Sequence, residues 1–531
     1  MSADNSIELS HRRKATSSSQ TLPISEFEFE EERPRVEDHH NAKNLSLGEL
    51  PPADRKNFII LVGLYLLQGI PVGLAFGSIP FILKSKLSYG QVGIFTLASY
   101  PYSLKLLWSP IVDAIYSKTF GRRKSWIVPI QFTSSFVLLW LGAAIRPYME
   151  NAEQNVGKIT FFFFVLVFLC ATQDIAVDGW ALTLLSHPSL SYASTAQTIG
   201  LNSGYFMSFT VFLAFNSPEF ANKYFRSQPS DIPLVSLSQY LTTWGLIYLV
   251  MTVLVGIFKR EDAAQASDGE GLQGIKNVYH SMLQVLKLRN IQVLIMVHVV
   301  AKFAFQANDA VTNLKLVEKG LSKEDLALTV LIDFPFEIMF GYYTAKWSTG
   351  AHPLRPWMMA FVGRLGFALL SMCQVIFFPK EGAGNLYFLF IIVVHVLGSF
   401  MSTVQFVSIN AFHTQIADPL IGGTYMTTLN TISNLGGQWP RLIIFYGVDY
   451  FTKASCIPPQ DSPLLPFSCA TESQKKECKD IHGSCNVSVD GYYIMNIFCV
   501  FIGVCLFFGW IRRMMIYLQK LPLSSWRVSN I

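Results

Sequence analysis

The sequence has little charge and no stripe of basic residues interleaved with aromatic ones. Charged residues make up 15% of the 531 residues, whereas soluble domains carry roughly 25%. Without a basic stripe, the net charge of +5 gives no case for a nucleic-acid partner. The sequence has no cleavable signal peptide at its start. It also has no paired nucleophile and no cluster of metal ligands, so we expect no metal and no cofactor. Hydrophobic residues reach 51% and the mean hydropathy is +0.35, which predicts a polytopic membrane protein.

Twelve segments are long and apolar enough to cross a bilayer, which takes about 20 residues. They lie at 57–76, 91–112, 126–145, 159–185, 193–215, 239–258, 290–311, 326–345, 357–378, 386–409, 424–449 and 492–516. Basic residues precede the first span, follow the second in "GRRK" and follow the last, which indicates a cytosolic face. We therefore predict an all-α membrane protein with cytosolic tails at 1–56 and 518–531, the first of them disordered.

Four of the eight cysteines share one polar loop, 451–489, between the last two spans. The same loop contains "NVS", an N-glycosylation motif. The residues concerned are Cys456, Cys469, Cys478, Cys485 and Asn486. Both features are typical of an oxidising, non-cytosolic compartment, which is the side where twelve spans place the loop. We expect disulfides and a glycan here, with three pairings open; four free thiols and an unused motif are the alternative.

The sequence contains an internal repeat with a constant offset. Residues 172–205 align with 404–438, and the matches are Gln173 with Gln405, Asp178 with Asn410, Thr195 with Thr427, Asn202 with Asn434, and Gly204 with Gly436. The repeat relates the fourth and fifth spans to the tenth and eleventh, which is the six-plus-six plan of major facilitator transporters. We predict an N-terminal half at 57–258, a cytosolic linker at 259–289 and a C-terminal half at 290–517, with a binding site between the halves.

Charged and amide side chains inside the spans are the candidate binding residues. Such groups are costly in a bilayer, and they normally face the bundle interior or a water-filled cavity. If the cations are not neutralised by acids, they favour an anionic substrate, with arginine suited to phosphate; pairing between helices is an equally weighted alternative. The candidates are Lys302, Arg364, Arg441, Lys105, Gln173, Asp174, Gln405, Asn430, Asn434 and Gln438.

A second group of charges lies toward the predicted cytosolic face. Asp113 ends the second span, and Arg122 and Arg123 follow it. Asp178 lies one helical turn beyond Asp174, about two turns before the end of the fourth span. Major facilitator proteins have a similar acid–glycine–arginine motif whose charges fasten helices when the cytosolic gate is shut. We predict such a gate here, although the acid and the glycine are further apart than usual, which leaves the pairing open. Asp174 could line the cavity, titrate, or pair with a lysine.

Several stretches closely resemble the eukaryotic acetyl-coenzyme A transporters of the endoplasmic reticulum membrane. They are "GRRKSW" (121–126), "ATQDIAVDGWALT" (171–183), "DAVTNLKLVEKG" (309–320), "DPLIGGTYMTTLNTISNLGG" (418–437) and "DGYYIMNIFCVFIG" (490–503). The resemblance runs from about residue 57 to the C-terminus. It implies a carrier, not an enzyme, that imports cytosolic acetyl-CoA into the lumen in exchange for CoA and so supplies lumenal acetylation.

Two other functions stay open at this point. A carrier of the same fold could move another bulky organic anion, such as a nucleotide conjugate or a glutathione-like peptide. A membrane-embedded acyltransferase could use His395 or His413 as general base, but no paired nucleophile accompanies them. Membrane lipid is an expected partner in every case, and the sequence is compatible with a homodimer.

Overall fold

The computed structural model describes residues 50–186, 189, 192–259, 261, 272–347, 352–379, 382–417, 422–459, 466–470 and 472–528. Most of the predicted N-terminal tail therefore lies outside the described residues, as do much of the predicted linker and the end of the C-terminal tail.

The N-terminal half is built of helices. They are α1 (Pro52–Gly73), α2 (Ile79–Lys84), α3 (Tyr89–Phe95), α4 (Tyr100–Leu104), α5 (Ser109–Ala114), α6 (Lys124–Glu150), α7 (Ala152–Leu184), α8 (Tyr192–Phe206), α9 (Phe212–Phe215), α10 (Pro218–Tyr224) and α11 (Leu237–Phe258). Turns of π-helix at Leu74–Ser78 and Met207–Val211 join α1 to α2 and α8 to α9, and 3₁₀ turns at Thr96–Ser99 and Lys105–Leu107 interrupt the second predicted span.

A helix in the predicted linker leads into the C-terminal half. The helices are α12 (Leu272–Lys287), α13 (Arg289–Ala301), α14 (Gln306–Lys319), α15 (Lys323–Trp347), α16 (Leu354–Ile376), α17 (Asn385–Ile416), α18 (Gly422–Phe451), α19 (Glu472–Asp480), α20 (Gly491–Leu506) and α21 (Arg512–Gln519). A 3₁₀ turn at Lys302–Phe305 joins α13 to α14, a π-helical turn at Phe507–Ile511 joins α20 to α21, and a last 3₁₀ turn lies at Leu523–Trp526.

Nine helical stretches within the described residues are long and apolar enough to cross a membrane. They are Pro52–Lys84, Lys124–Glu150, Ala152–Ala181, Ala196–Phe215, Leu237–Phe258, Arg289–Lys319, Leu354–Ile376, Asn385–Ile416 and Gly491–Gln519. The second, eighth and eleventh predicted spans are helical too, as α3–α5, α15 and α18. Many large apolar side chains on these helices are exposed, such as Phe132, Phe161 and Phe501, as expected where helices face lipid. The all-α polytopic fold is confirmed.

Proline inside the first span shows how backbone groups are satisfied within the membrane. Pro71 has no N–H, so the carbonyl of Leu67, four residues earlier, loses its donor in the helix. The hydroxyl of Tyr248, on α11, donates to that carbonyl. A span in hydrocarbon has no water for this purpose, so a neighbouring helix must supply the donor. The bond also ties α11 to α1.

The internal repeat is visible in the packing. Helices α7 and α17 end at Leu184 and Ile416, which are equivalent positions at the offset of the repeat. Gly204 of α8 lies against α1, where an added Cβ would come within 2.8 Å of the Cα of Gly69 and would also strike the carbonyl oxygen of Leu66. Gly436 of α18 lies against the carbonyl of His298 on α13 in the same way, and Leu66 and His298 are equivalent positions at the same offset. Each half thus uses an equivalent glycine to bring two helices into contact.

The loop between the last two spans folds into a small disulfide-bonded subdomain. Strands β1 (Lys453–Ile457), β2 (Phe467–Ser468) and β3 (Ser484–Val489) form an antiparallel sheet in the order β2–β1–β3, with α19 beside it. Cysteines 456 and 478 form one disulfide, and cysteines 469 and 485 form the other. The structure thereby selects one of the three pairings that the sequence left open. We call the end of the bundle that carries this subdomain the disulfide end.

Candidate functional site

A 3₁₀ turn and a pair of helical glycines place the candidate site between α13 and α18. The 3₁₀ turn after α13 begins at Lys302, and the glycine pair of α18 lies opposite. A Cβ on Gly437 would lie 3.1 Å from Cδ of Lys302. The second glycine therefore leaves room for the lysine stem, just as the first admits the α13 backbone. These side chains border a cavity of about 370 Å³, which we call the basic cavity.

The basic cavity contains more positive than negative charge. Its cations are Lys302, Arg364 and Arg441, and its carboxylate is Asp309. Three positive charges against one negative charge leave a formal excess of +2. Amide and aromatic side chains complete the lining; they include Gln405, Asn434, Gln438, Phe76, Tyr102, Phe305 and Trp357. A ligand with two or more negative charges and a planar ring matches this lining.

Two of the cations have neutral partners only. Nζ of Lys302 donates to the carbonyl oxygen of Ser433, at 2.7 Å. Nε of Arg441 donates to the amide oxygen of Gln306, at 3.2 Å, when that amide is oriented to satisfy both of its ends. In the described part of the chain, neither cation has a carboxylate within 4.0 Å. Because buried charge without a counter-charge is costly, these two positions favour an anion.

The third cation is held in a fixed orientation. Nη2 of Arg364 lies 2.5 Å from Oδ2 of Asp309, and Nη1 donates to Oε1 of Gln405 at 2.9 Å. The guanidinium carbon lies 4.1 Å from the ring centroid of Phe305, which is a cation–π contact. Arg364 therefore has an acid, an amide and an aromatic ring around it, and an incoming anion must compete with Asp309 for it.

A second cavity, of about 300 Å³, shares Asp309 and Arg364 with the first. Its other ionisable residues are Asp333, Glu337 and His395. Nε2 of His395 lies 3.5 Å from Oδ2 of Asp333. Three carboxylates against one arginine leave a formal excess of −2 when the histidine is neutral. We call this space the acidic cavity.

Four candidate residues from the sequence lie away from the lining of the basic cavity. Lys105 and Asp174 form an ion pair, in which the Asp174 side chain is fully buried. Gln173 donates to the carbonyl of Leu64, at 3.4 Å. Asn430 has its Oδ1 3.0 Å from Nδ1 of a buried histidine, His413. The remaining candidates, Lys302, Arg364, Arg441, Gln405, Asn434 and Gln438, all line the cavity.

The residues of the predicted gate each have different contacts in the structure. Oδ1 of Asp178 accepts hydrogen bonds from Tyr65, at 2.8 Å, and from Gln197, at 2.9 Å. The guanidinium of Arg123 lies against Gly179, where a Cβ would come within 2.6 Å of Nη1. Asp178 forms no ion pair in the described structure.

The other members of that group have separate surroundings. The guanidinium carbon of Arg122 lies 5.4 Å from the ring centroid of Tyr116, and the side chain of Asp113 is outside the described residues. The next residue, Lys124, was not a candidate. Its Nζ donates to the carbonyls of Gly256 and Lys259, so the basic loop is fastened to the C-terminal end of α11.

Sequence reasoning named His413 but missed its partner in a buried histidine pair beside the basic cavity. Nε2 of His298 lies 2.9 Å from Nε2 of His413, and His298 lines the cavity. His298 precedes Lys302 by four residues, which puts both on one helix face. That spacing was a usable signal, whereas the partner came from another helix 115 residues away.

Among the described residues, the hydrogen bonds between the two halves lie at the disulfide end and in the middle. Asp449 of α18 accepts from two successive backbone N–H groups at the start of α3. The hydroxyl of Tyr89 donates to Glu318, at 2.8 Å, and the hydroxyl of Ser99 donates to Gln438, at 2.9 Å. The bonds of Asp449 and Glu318 close the disulfide end, whereas the bond of Ser99 lies in the middle. At the opposite end, α12 contributes a hydrogen bond from Tyr279 to the carbonyl of Leu107.

Comparison with known proteins identifies relatives that match this chain along all of its predicted spans. A family described as "Acetyl-coenzyme A transporter 1" matches residues 57–267, 262–355 and 349–528. An uncharacterized membrane protein of Saccharomyces cerevisiae is 46% identical, over 90% of this chain and 98% of its own. An uncharacterized protein of Schizosaccharomyces pombe is 40% identical, over 92% of each chain.

Solved structures share the fold at low sequence identity. A bacterial homologue of the human lysosomal transporter Spinster has a TM-score of 0.59 at 13% identity, over 89% of this chain and 98% of that one. The nucleoside transporter NupG has a TM-score of 0.57 at 10% identity, over 88% and 100%. The predicted major facilitator fold is thereby confirmed. The chain belongs to the acetyl-coenzyme A transporter 1 family and is a multi-pass membrane transporter.

Proposed function

We propose that this transporter carries acetyl-CoA from the cytosol into the lumen of the endoplasmic reticulum, in exchange for CoA, and so supplies lumenal protein acetylation. The observation that carries the proposal is the formal excess of +2 in the basic cavity, with Lys302 and Arg441 lacking acidic partners. The family match names the same substrate for its members.

The chemistry of CoA fits that lining. Its pyrophosphate and 3′-phosphate need cations, which arginine contacts in a bidentate manner and lysine as a point charge. Its adenine can lie on an aromatic face, and Trp357 and Tyr102 border the cavity. The acetyl thioester adds little charge or polarity, so acetyl-CoA and CoA would bind with similar affinity. Similar affinities are what an exchanger of one for the other requires.

The orientation of the transporter in the membrane rests on the disulfide end. We assign the disulfide end to the lumen, because disulfides form in oxidising compartments and because Asn486 is exposed on β3. Both termini and the predicted gate of Asp113, Arg122, Arg123 and Asp178 would then be cytosolic. The bonds of Asp449 and Glu318 across the halves are the lumenal gate in this assignment. Peptide-N-glycosidase treatment should increase the mobility of the native protein on a gel but not that of Asn486→Gln.

The proposal is tested by uptake of labelled acetyl-CoA into proteoliposomes that hold the purified protein. We expect uptake, and we expect it to accelerate when CoA is present inside. If internal CoA does not change the rate of uptake, acetyl-CoA is still a substrate but the exchange mechanism is wrong.

A carrier of another bulky anion is the second candidate, since the basic cavity does not by itself define the anion. Competition separates the two. A nucleotide conjugate or a glutathione-like peptide that displaces acetyl-CoA at lower concentration than CoA would take its place as the substrate.

A further inference from the structure

We propose that Nδ1 of His298 accepts a hydrogen bond from the exocyclic amine of a purine ring that the ligand carries beside its phosphates. The proposal rests on the proposed function and deepens it, because it assigns the adenine of CoA to one end of the basic cavity. It makes His298 a specificity-determining residue, which distinguishes an amino-purine from its oxo counterpart.

The two ring nitrogens of His298 have different surroundings. Nε2 lies 2.9 Å from Nε2 of His413. Nδ1 has no hydrogen-bond partner in the described part of the chain. The residue is only 4% exposed, and it lines the basic cavity. Because a buried polar atom without a partner costs free energy, Nδ1 favours a ligand that forms a hydrogen bond with it.

Asn430 decides whether that nitrogen donates or accepts. Its Oδ1 lies 3.0 Å from Nδ1 of His413. An amide oxygen only accepts, so Nδ1 of His413 carries a proton. In a neutral His413, Nε2 is then an acceptor, and the proton between the two rings belongs to Nε2 of His298. A neutral His298 with its proton on Nε2 has a lone pair on Nδ1, which therefore accepts.

The charges around the histidine pair favour two neutral rings. Lys302 follows His298 by one helical turn, and the basic cavity already has a formal excess of +2. Among the described residues, neither ring has a carboxylate within 4.0 Å. A further positive charge on the pair would be buried without a counter-charge, which is costly.

The position of His298 relative to the cations fits a nucleotide. The seventh and ninth spans cross the membrane in the same direction. His298 precedes Lys302 by four residues, or about 6 Å along the helix axis. Trp357 precedes Arg364 by seven residues, or about 10 Å. His298, Trp357 and the apolar Ile409 all line the cavity. A flat ring with a polar edge fits that end, while phosphates one ribose away reach the cations.

Calorimetric titration of CoA and of its deaminated analogue into the purified full-length protein tests the contact. The analogue carries hypoxanthine in place of adenine, so it keeps every phosphate but has an oxygen where CoA has the amine. We expect the native protein to bind CoA about 10-fold more tightly than the analogue, because one hydrogen bond is lost and two acceptors face each other. His298→Phe should bind the two with equal affinity. His280→Phe, exposed on α12, is the matched control and should keep the native preference.

Asn430→Asp tests the proton positions without changing His298. A carboxylate beside His413 stabilises its imidazolium form, which then donates from Nε2 to His298. The proton of a neutral His298 moves to Nδ1, and Nδ1 becomes a donor. This variant should therefore prefer the analogue, whose oxygen accepts. A purely structural role of the histidine pair would not reverse the preference.

The outcomes separate this contact from the proposed function. If the native protein binds CoA and the analogue equally, or prefers the analogue, the contact is wrong and CoA remains the substrate. A preference for CoA that persists in His298→Phe or in Asn430→Asp also overturns it. If His298→Phe does not fold, Asn430→Asp decides alone.

Failure of CoA to bind would overturn the proposed substrate, and ADP and IDP then put the same question to another nucleotide. A preference for ADP that Asn430→Asp reverses supports the contact. Equal binding of ADP and IDP, or no binding of either, overturns the contact as well.

Discussion

The two halves of the repeat use equivalent positions in different ways. Gln173 and Gln405 are equivalent positions in the repeat. Gln173 donates a hydrogen bond to the backbone of α1, whereas Gln405 accepts one from Arg364 and orients it at the cavity. In the N-terminal half, the half-buried cation Lys105 is paired with a fully buried acid, Asp174. In the C-terminal half, two cavity cations have only neutral partners. The repeat preserved the helix packing while the charge balance diverged.

This difference assigns separate tasks to the halves. A buried ion pair is nearly neutral in net effect, but it becomes costly when one member is removed. A buried cation without an acid is costly until an anion arrives. Charge changes in the N-terminal half should therefore act on stability, and those in the C-terminal half should act on ligand affinity.

The largest effect is expected at the N-terminal pair. Lys105→Met should lower the free energy of unfolding by about 3–5 kcal/mol, because it leaves the fully buried carboxylate of Asp174 without its counter-charge. Asp174→Leu should cost less, because the Lys105 side chain that remains is 24% exposed. The double variant should recover most of the loss. Thermal unfolding in detergent measures all three.

Affinity provides the control for that pair. The double variant should bind CoA as the native protein does, since neither residue lines the basic cavity. A double variant that is stable but does not bind CoA would show that Lys105 contacts the ligand. The proposed difference between the two halves would then be wrong.

The opposite pattern is expected for the C-terminal cations. Lys302→Met and Arg441→Gln should each weaken CoA binding by about 10- to 100-fold, the worth of a charge-assisted hydrogen bond of about 1.5–3 kcal/mol. Neither should lower stability without ligand, because each removes an unpaired buried charge. Arg441→Lys keeps the charge and should lose less affinity than Arg441→Gln. A loss of stability with unchanged affinity would show that these cations serve the fold.

The sequence allowed the fold to be predicted further than the site. Spans follow from runs of apolar residues, and the repeat follows from matched residues at one offset, so both could be predicted without coordinates. Six of the ten candidates line the basic cavity, whereas Gln173 and Asn430 form hydrogen bonds with neighbours on other helices. Partner choice depends on helix rotation and on distant residues, which local patterns do not encode. For the same reason the pairing of Lys105 with Asp174 stayed one of several alternatives.

The glutamine pair gives a smaller test of the comparison at a single equivalent position. Gln173→Leu should cost about 0.5–1.5 kcal/mol of stability and leave affinity unchanged, because it removes one neutral hydrogen bond. Gln405→Leu should weaken CoA binding by about 3- to 10-fold, since Arg364 loses an orienting acceptor. Unfolding and calorimetry on both variants give the four values. If the two substitutions changed stability and affinity equally, the two glutamines would have the same role.

The smallest effect is expected where the C-terminal half carries paired charge near its surface. Nζ of Lys475 lies 3.1 Å from Glu318, with side chains 28% and 30% exposed. Such partly exposed pairs contribute about 0–1 kcal/mol, so Lys475→Ala should change exchange rates by less than about 5-fold. Lys476→Ala, on the same helix, is the matched control. The pair lies at the closed disulfide end, and salt should reduce whatever effect it has. If Lys475→Ala instead matched the cavity substitutions in magnitude, charge in the C-terminal half would act through the gate as much as through the ligand. The contrast between the halves would then describe how the transporter closes as well as how it binds.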